Sequence, residues 1–321
     1  MKELLCIKNL RTSFKIDSNF YPAVDGISLS LNKNEIFAIV GESGSGKSAL
    51  ALSLTRLHNP HYTRISGDVF FKGQNLLTLS ETELNKIRGR EIGMIFQDSI
   101  AALNPLMKVG PQIEESLFYH TNASPAERKA KTITLLEEVG IPNPVLIYSR
   151  LPHQLSGGMR QRVMIAVAMA CRPSLIIADE PTTALDVTIQ ATILELLQKL
   201  QQEISASIML ITHDLGVVAE IAQRAAVMYA GQIVELATVD ELFSTPKHPY
   251  TRALLASVPR GGGRLHTIEG SVPTLQKMQE QGCRFAPRIP NIPREAHEEN
   301  PQFHQISSTH QVLCTCHSVF D

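Results

Sequence analysis

Ile36-Phe37-Ala38-Ile39-Val40-Gly41-Glu42-Ser43-Gly44-Ser45-Gly46-Lys47-Ser48 decides the fold. Five apolar residues of strand length run into the pattern G-x-x-x-x-G-K-[ST], and Ser48–Leu57 continues with helical spacing. Gly41, Gly44 and Gly46 allow a tight turn whose N–H groups point inward. The helix opening near Lys47 offers unpaired amides and a positive dipole end to an anion. Lys47 adds a point charge at the β/γ-phosphates of a nucleotide, and the Ser48 hydroxyl can ligate Mg²⁺. The stretch therefore implies a nucleoside triphosphate site, with Ser43, Ser45 and Ala49 completing its lining.

Working outward, Leu4–Leu10 and Ile27–Leu31 read as strands before this loop, and Ile92–Phe96 as a strand after it. From about Ile100 to Leu155 the text is helical and polar, with Ser124-Pro125-Ala126-Glu127 a helix start. Gly157–Cys171 reads as a helix, Leu175–Ala178 as a strand, Ile189–Glu203 as a helix and Ile208–Thr212 as a strand. Strands alternating with helices imply a mostly parallel, covered sheet. Ala225–Glu235 reads as two short strands turning at Ala230-Gly231, and beyond Ser244 the periodicity fades. The expected division is an ATPase-sized domain over 1–245, with helices inserted at about 98–160, and a small extension over 246–321.

Two acids end a buried strand at Leu175-Ile176-Ile177-Ala178-Asp179-Glu180, and strand ends at the carboxyl edge of an open parallel sheet are where ligands sit. Asp179 can hold Mg²⁺ through water, and Glu180 can take a proton from an attacking water. His213 follows the strand Ser207–Ile211 and faces the phosphates by the same reasoning. Gln97 ends Ile92–Phe96 and can orient Mg²⁺ or water. Leu155-Ser156-Gly157-Gly158-Met159-Arg160-Gln161-Arg162 puts small residues at a helix N-terminus, a second anion surface that invites a partner's nucleotide.

In this order the motifs resemble those of the ABC transporter ATPases, over about residues 1–245. Walker A falls at Gly41–Ser48, the Q-loop at Gln97, the signature at Leu155–Gln161, and Walker B with its base at Leu175–Glu180. The D-loop falls at Ala184-Leu185-Asp186 and the switch at His213. The resemblance implies an α/β P-loop NTPase (RecA-like) fold: a mostly parallel sheet, an antiparallel β subdomain, an inserted α-helical subdomain and a small C-terminal extension. It implies ATP hydrolysis with Mg²⁺, and a head-to-tail dimer in which Ser156, Gly157, Gly158 and Asp186 serve the partner's ATP. Phe14 matches the aromatic that stacks on adenine, with Tyr21 the alternative. Asn104-Pro105, Thr182–Gln190 and Pro246–Leu254 further resemble the oligopeptide/dipeptide/nickel importer branch, as does Gly282-Cys283-Arg284-Phe285. That branch implies a second, related ATPase, two permease subunits and an extracytoplasmic binding protein as partners. The cargo it implies is peptide, with nickel or another small solute as the alternative.

In some members four cysteines of the extension hold an iron–sulfur cluster. Here Cys283 and Cys314 match two positions, Ile289 and Ala296 stand at the other two, and Cys316 is extra. Two thiolates of four argue for reduced thiols rather than a cluster. Cys283, Cys314 and Cys316 can still meet a metal with His297 or His317.

Composition narrows the alternatives. Acidic and basic residues number 31 and 30, which gives no sign of a nucleic-acid partner. No apolar run approaches a membrane span and the N-terminus lacks an h-region, so the expected location is the cytoplasmic face of a membrane. A soluble ABC-type ATPase uncoupled from transport is the rival, and the importer-like tail counts against it. A GTPase needs Asn-Lys-x-Asp; Asn32-Lys33-Asn34-Glu35 and Asn85-Lys86-Ile87-Arg88 both miss the final Asp.

Overall fold

The structure is a computed structural model and describes residues 3–183, 186–258, 268–279, 281–289, 297–314 and 316. It divides into two compact units. One gathers the chain up to Asn32, Ile36–Leu77 and everything from Ile211, and the other Lys33–Glu35 and Thr78–Leu210.

The first unit opens with two long strands, β1 (Glu3–Ile16) and β2 (Asn19–Asn32), joined at Asp17, whose φ of 54° places it in the left-handed region of a tight turn. They pair antiparallel, and β1 pairs on its other side with β4 (Thr63–Phe71). Between them in sequence stand β3 (Ile36–Val40) and α1 (Lys47–Leu54), and β5 (Gln74–Asn75) closes the order β2-β1-β4-β5. The expected strands Leu4–Leu10 and Ile27–Leu31 are the apolar cores of β1 and β2. Their extensions form because most of the added residues find a cross-strand partner, as Thr12, Ser13, Phe14, Lys15 and Ile16 do, whatever their own propensity.

The second unit holds α2 (Glu81–Asn85), β6 (Ile92–Ile95), α3 (Ser99–Ala102), α4 (Val109–His120), α5 (Pro125–Glu138), α6 (Pro144–Tyr148), α7 (Gly157–Met169), β7 (Leu175–Asp179) and α8 (Val187–Ile204). The expected start of α5 is present as a full capping box between Ser124 and Glu127, with Pro125 in the first turn. α7 buries Val163 to Ala166, Ala168 and Met169 and presses onto β6, where a Cβ on Gly93 would stand 2.3 Å from the Ala168 carbonyl oxygen. β6 pairs parallel with β7, every residue of which is buried. Strands covered on both faces need continuous apolar runs, which is why β3 and β7 were visible as such.

β8 (Ser207–Thr212) carries the chain back to the first unit and leads into α9 (Leu215–Ile221), β9 (Arg224–Tyr229) and β10 (Gln232–Thr238). β9 lies parallel to β3 and antiparallel to β10. The expected turn is real: Ala230 and Gly231 have φ of 46° and 86°, the pattern of a two-residue hairpin loop. α10 (Val239–Ser244) and α11 (Pro249–Ala256) follow, then β11 (Phe303–Gln305) and β12 (Gln311–Leu313).

β12 pairs antiparallel with β10, so the tail adds strands in the order β11-β12-β10-β9-β3. Glu235 on β10, fully buried, explains how the Pro246–Leu254 segment docks. Its carboxylate accepts the backbone N–H groups of Lys247 (2.7 Å) and His248 (2.9 Å) and faces His310 Nε2 at 2.7 Å. Tyr229, Tyr250 and Phe285 stack within about 5 Å of one another at the centre of this core. No described helix is long and apolar enough to cross a membrane.

Candidate functional site

The loop between β3 and α1 has the shape its sequence requires. Gly46 is the N-cap of α1, has φ of 104° and supplies no side-chain cap at the helix end where an anion is favoured. A Cβ there would stand 2.3 Å from the Ala23 carbonyl oxygen, and one on Gly41 would stand 2.1 Å from that of Met228. Lys47 is buried and its ammonium donates to the carbonyl oxygens of Gly41 (2.8 Å) and Glu42 (3.0 Å), folded back over the loop. The Ser45 hydroxyl is buried without a hydrogen-bond partner. An orphan of this kind costs about 1–3 kcal/mol unless a ligand satisfies it. The residues present thus fit a phosphate chain: a helix N-terminus, a lysine ammonium and an unsatisfied hydroxyl. Ser43 and Gly44 are exposed, and Ser48 and Ala49 half-buried at the same helix end.

Residues that sequence reasoning missed hold this loop from the C-terminal side. The Glu42 N–H donates to the Tyr250 hydroxyl at 2.8 Å, and the Gly231 N–H to the Ser45 carbonyl at 2.8 Å. Arg288 grips the Glu42 carboxylate with both guanidinium nitrogens, at 2.7 and 3.1 Å. Burial pushes the Tyr250 phenol well above its ordinary range, so it stays neutral beside that pair. Arg284, four residues earlier, pairs with Asp25 and donates to the Ala230 carbonyl at 2.6 Å. Tyr250 and Arg284 lie in segments singled out for their resemblance, but nothing local reveals these contacts, because the partners lie 54 to 259 residues away.

The acids belong to the second unit. Asp179 is buried at the end of β7, and Glu180 follows with φ of 45°, a left-handed conformation that costs a carboxylate-bearing residue about 1 kcal/mol. Its carboxylate accepts from Gln97 Nε2 at 2.9 Å and from the Thr183 hydroxyl at 2.8 Å. Gln97 and Glu180 are therefore brought together, and Thr183 is a further orienting group. With its nitrogen on Glu180, Gln97 has its carbonyl oxygen as the atom to offer a metal. Asp179 and Gln97 both supply oxygen, the donor type that Mg²⁺ takes. Gln161 donates to the Pro181 carbonyl at 2.6 Å, anchoring the turn that follows Glu180 to α7.

Ser156 is the exposed N-cap of α7 and its hydroxyl accepts from the Met159 N–H at 3.3 Å. Gly157 is half-buried and Gly158 buried against Ile189, with 3.1 Å left for a Cβ. Asp186 caps α8 through the Ile189 N–H at 3.0 Å, while Ala184 and Leu185 lie outside the described residues. His213 is exposed just past β8 in the first unit. Phe14 and Tyr21, the two aromatics offered for adenine, are direct cross-strand partners and so share one face of the β1–β2 sheet. His58 meets the Phe14 ring edge-on at 5.1 Å.

The extension does not fit the four-cysteine cluster. Ile289 packs into the apolar core beside Phe285, and Ala296 and His317 lie outside the described residues.

Comparison with known proteins places these observations. A family model described as ABC transporter matches residues 24–183, and one described as oligopeptide/dipeptide transporter, C-terminal region, matches 234–291. The oligopeptide transport ATP-binding protein OppD of Lactococcus lactis subsp. cremoris is 49% identical over 315 residues, covering 97% of this chain and 93% of that protein. AppD of Bacillus subtilis, another oligopeptide transport ATP-binding protein, is 48% identical over 318 residues, covering 98% and 97%. Among solved structures, the dimeric ATP-binding cassette MJ0796 bound to ADP and Pi superposes with a TM-score of 0.66 at 30% identity, covering 74% of this chain and 99% of that one. The loop after β3, the acids Asp179 and Glu180 at the end of β7 and this extent of similarity lead to one conclusion: the chain belongs to the ABC transporter ATPases, in the branch that carries the oligopeptide/dipeptide transporter C-terminal region.

Proposed function

We propose that this chain is the ATP-hydrolysing subunit of an ABC importer that energises uptake of peptides through membrane permease subunits. The observation that carries this reading is the match of an ABC transporter model and an importer-type C-terminal model in one chain. Relatives named for oligopeptide transport support the cargo class. By the same resemblance its partners are a second, related ATPase, two permeases and an extracytoplasmic binding protein, and its place is the cytoplasmic face of the membrane.

The roles follow from chemistry. The α1 amides, Lys47 and the Ser45 hydroxyl bind the phosphate chain, with Ser43, Gly44 and Ala49 lining it, and Phe14 with Tyr21 offers the adenine a face. Ser48, Asp179 and Gln97 would hold Mg²⁺, which when bound neutralises charge on the β- and γ-phosphate oxygens. Glu180, held by Gln97 and Thr183, accepts the proton of the attacking water, and His213 stabilises the γ-phosphate. Ser156, Gly157, Gly158 and Asp186 serve the ATP bound by the partner subunit. Closure on two ATPs and opening after hydrolysis drive the permease.

Glu180→Gln tests the assignment. ATP affinity should stay within a few-fold of the parent while turnover falls ~10²–10⁴-fold. Near-normal turnover would remove Glu180 from the role. Peptide-stimulated ATPase activity of the chain reconstituted with permease and binding protein tests the cargo; stimulation by nickel and not by peptide would favour the alternative.

A further inference from the structure

Cys283, His297, Cys314 and Cys316 come from three separate stretches of the tail, yet their ligand atoms all lie within 4.8 Å of one another. The three cysteines are buried, and none of them is in a disulfide. His297 contributes the second observation: its Nδ1 is buried with no hydrogen-bond partner. A buried imidazole nitrogen facing three thiols is costly unless something accepts its lone pair. The backbone is braced for the convergence. The Gly282 N–H donates to the Glu299 carbonyl at 2.8 Å and the Cys314 N–H to the Gln302 carbonyl at 2.9 Å. Cys314 itself holds φ of 75°, a left-handed conformation that a non-glycine residue keeps only under outside constraint.

Donor type and size select the ion. Three sulfurs and one imidazole are a soft-to-borderline set, unsuited to Mg²⁺ or Ca²⁺. Metal–sulfur bonds of about 2.3 Å put the sulfurs of a tetrahedral site ~3.8 Å apart, so donors within 4.8 Å need only a small contraction. A four-iron cluster needs four thiolates set wider, each on a different iron, and this tail offers three. We propose that Cys283, His297, Cys314 and Cys316 form a structural, tetrahedral zinc site. The site closes the tail around the segment Cys283–Arg288, whose Arg284 and Arg288 hold Asp25 and the phosphate-loop residue Glu42.

The test is metal analysis of the full-length chain, purified without chelator, and it needs no assumption about transport. One zinc per chain is expected, with iron and acid-labile sulfide near zero. A mercurial titrated against the protein should release zinc in step with the loss of three thiols. Cobalt(II) exchanged into the site should give thiolate charge-transfer absorption and a tetrahedral visible spectrum. His297→Cys should keep the metal and shift the cobalt bands, and His297→Ala should lose it. Stoichiometric iron and sulfide, a metal-free protein that takes up no zinc when reduced, or a cobalt spectrum unaltered in both His297 variants would each overturn the proposal. So would a disulfide among these three cysteines in protein purified under reducing conditions.

Discussion

Glu42 puts a carboxylate inside the loop proposed to bind phosphates, and Arg288 is what makes that tolerable. The guanidinium is 6% exposed and the carboxylate 27%, joined by two charge-assisted hydrogen bonds of 2.7 and 3.1 Å. Truncating Arg288 to Ala leaves the anion half-wet, at a cost near the low end for a broken partly buried pair, about 2 kcal/mol of stability. It also leaves a net negative charge near the bound nucleotide. At a separation of ~10 Å and an effective dielectric of ~20, each like-charge interaction amounts to about 1.7 kcal/mol before salt screening, and roughly 1 kcal/mol after it. Arg288→Ala should therefore weaken ATP binding ~5–10-fold, measured by calorimetry or a fluorescent ATP analogue at low and high salt. The discriminating measurement is the double variant. Glu42→Gln with Arg288→Ala removes the stranded charge, so ATP affinity should return to within about twofold of the parent while the stability loss persists. A double variant that binds ATP as weakly as Arg288→Ala alone would refute the electrostatic argument and leave only a packing role for Arg288.

Gly46→Ala should destabilise the chain by about 2–3 kcal/mol, read as a melting temperature several degrees lower, because its Cβ would meet the Ala23 carbonyl at 2.3 Å with φ at 104°. Gly44→Ala faces open space and should cost only about 1 kcal/mol, the price of its φ of 81°; equal losses would contradict the steric argument. Burial raises the Glu241 carboxyl, but hydrogen bonds from Ser307, Thr238 and Thr309 outweigh it and bring the group down to about 2. Because the folded value is depressed, its stabilisation is complete above the ordinary carboxylate range, about pH 4.5, and is lost as pH falls towards 2. The parent should therefore lose stability more steeply across that window than Glu241→Gln, and parallel acid-unfolding curves would count against it. In dimers where one ATPase alone carries Ser156→Arg, turnover should fail at the ATP held by the partner's phosphate loop. A defect confined to the variant's own loop would rule out the shared site.

What could be read from the sequence was whatever is encoded locally. Gly41–Ser48 specifies its loop because glycines, strand and helix start are contiguous. β3 and β7 announce themselves because strands covered on both faces must be apolar throughout. Ser124-Pro125-Ala126-Glu127 is a helix start by chemistry that reaches no further than three residues. Tertiary structure alone decided the rest. Gln97 and Glu180 meet across 83 positions, and nothing near Thr183 predicts that its hydroxyl completes the pair. The faded periodicity beyond Ser244 hid β11 and β12, because short edge strands gain their order from β10 and from buried Glu235 rather than from their own residues. Arg288 is an unremarkable residue until folding sets it on Glu42, 246 positions away. The same holds for the tail: the sequence offered Cys283, Cys314 and Cys316 with His297 or His317, and only folding brings the His297 nitrogen within 4.8 Å of all three sulfurs.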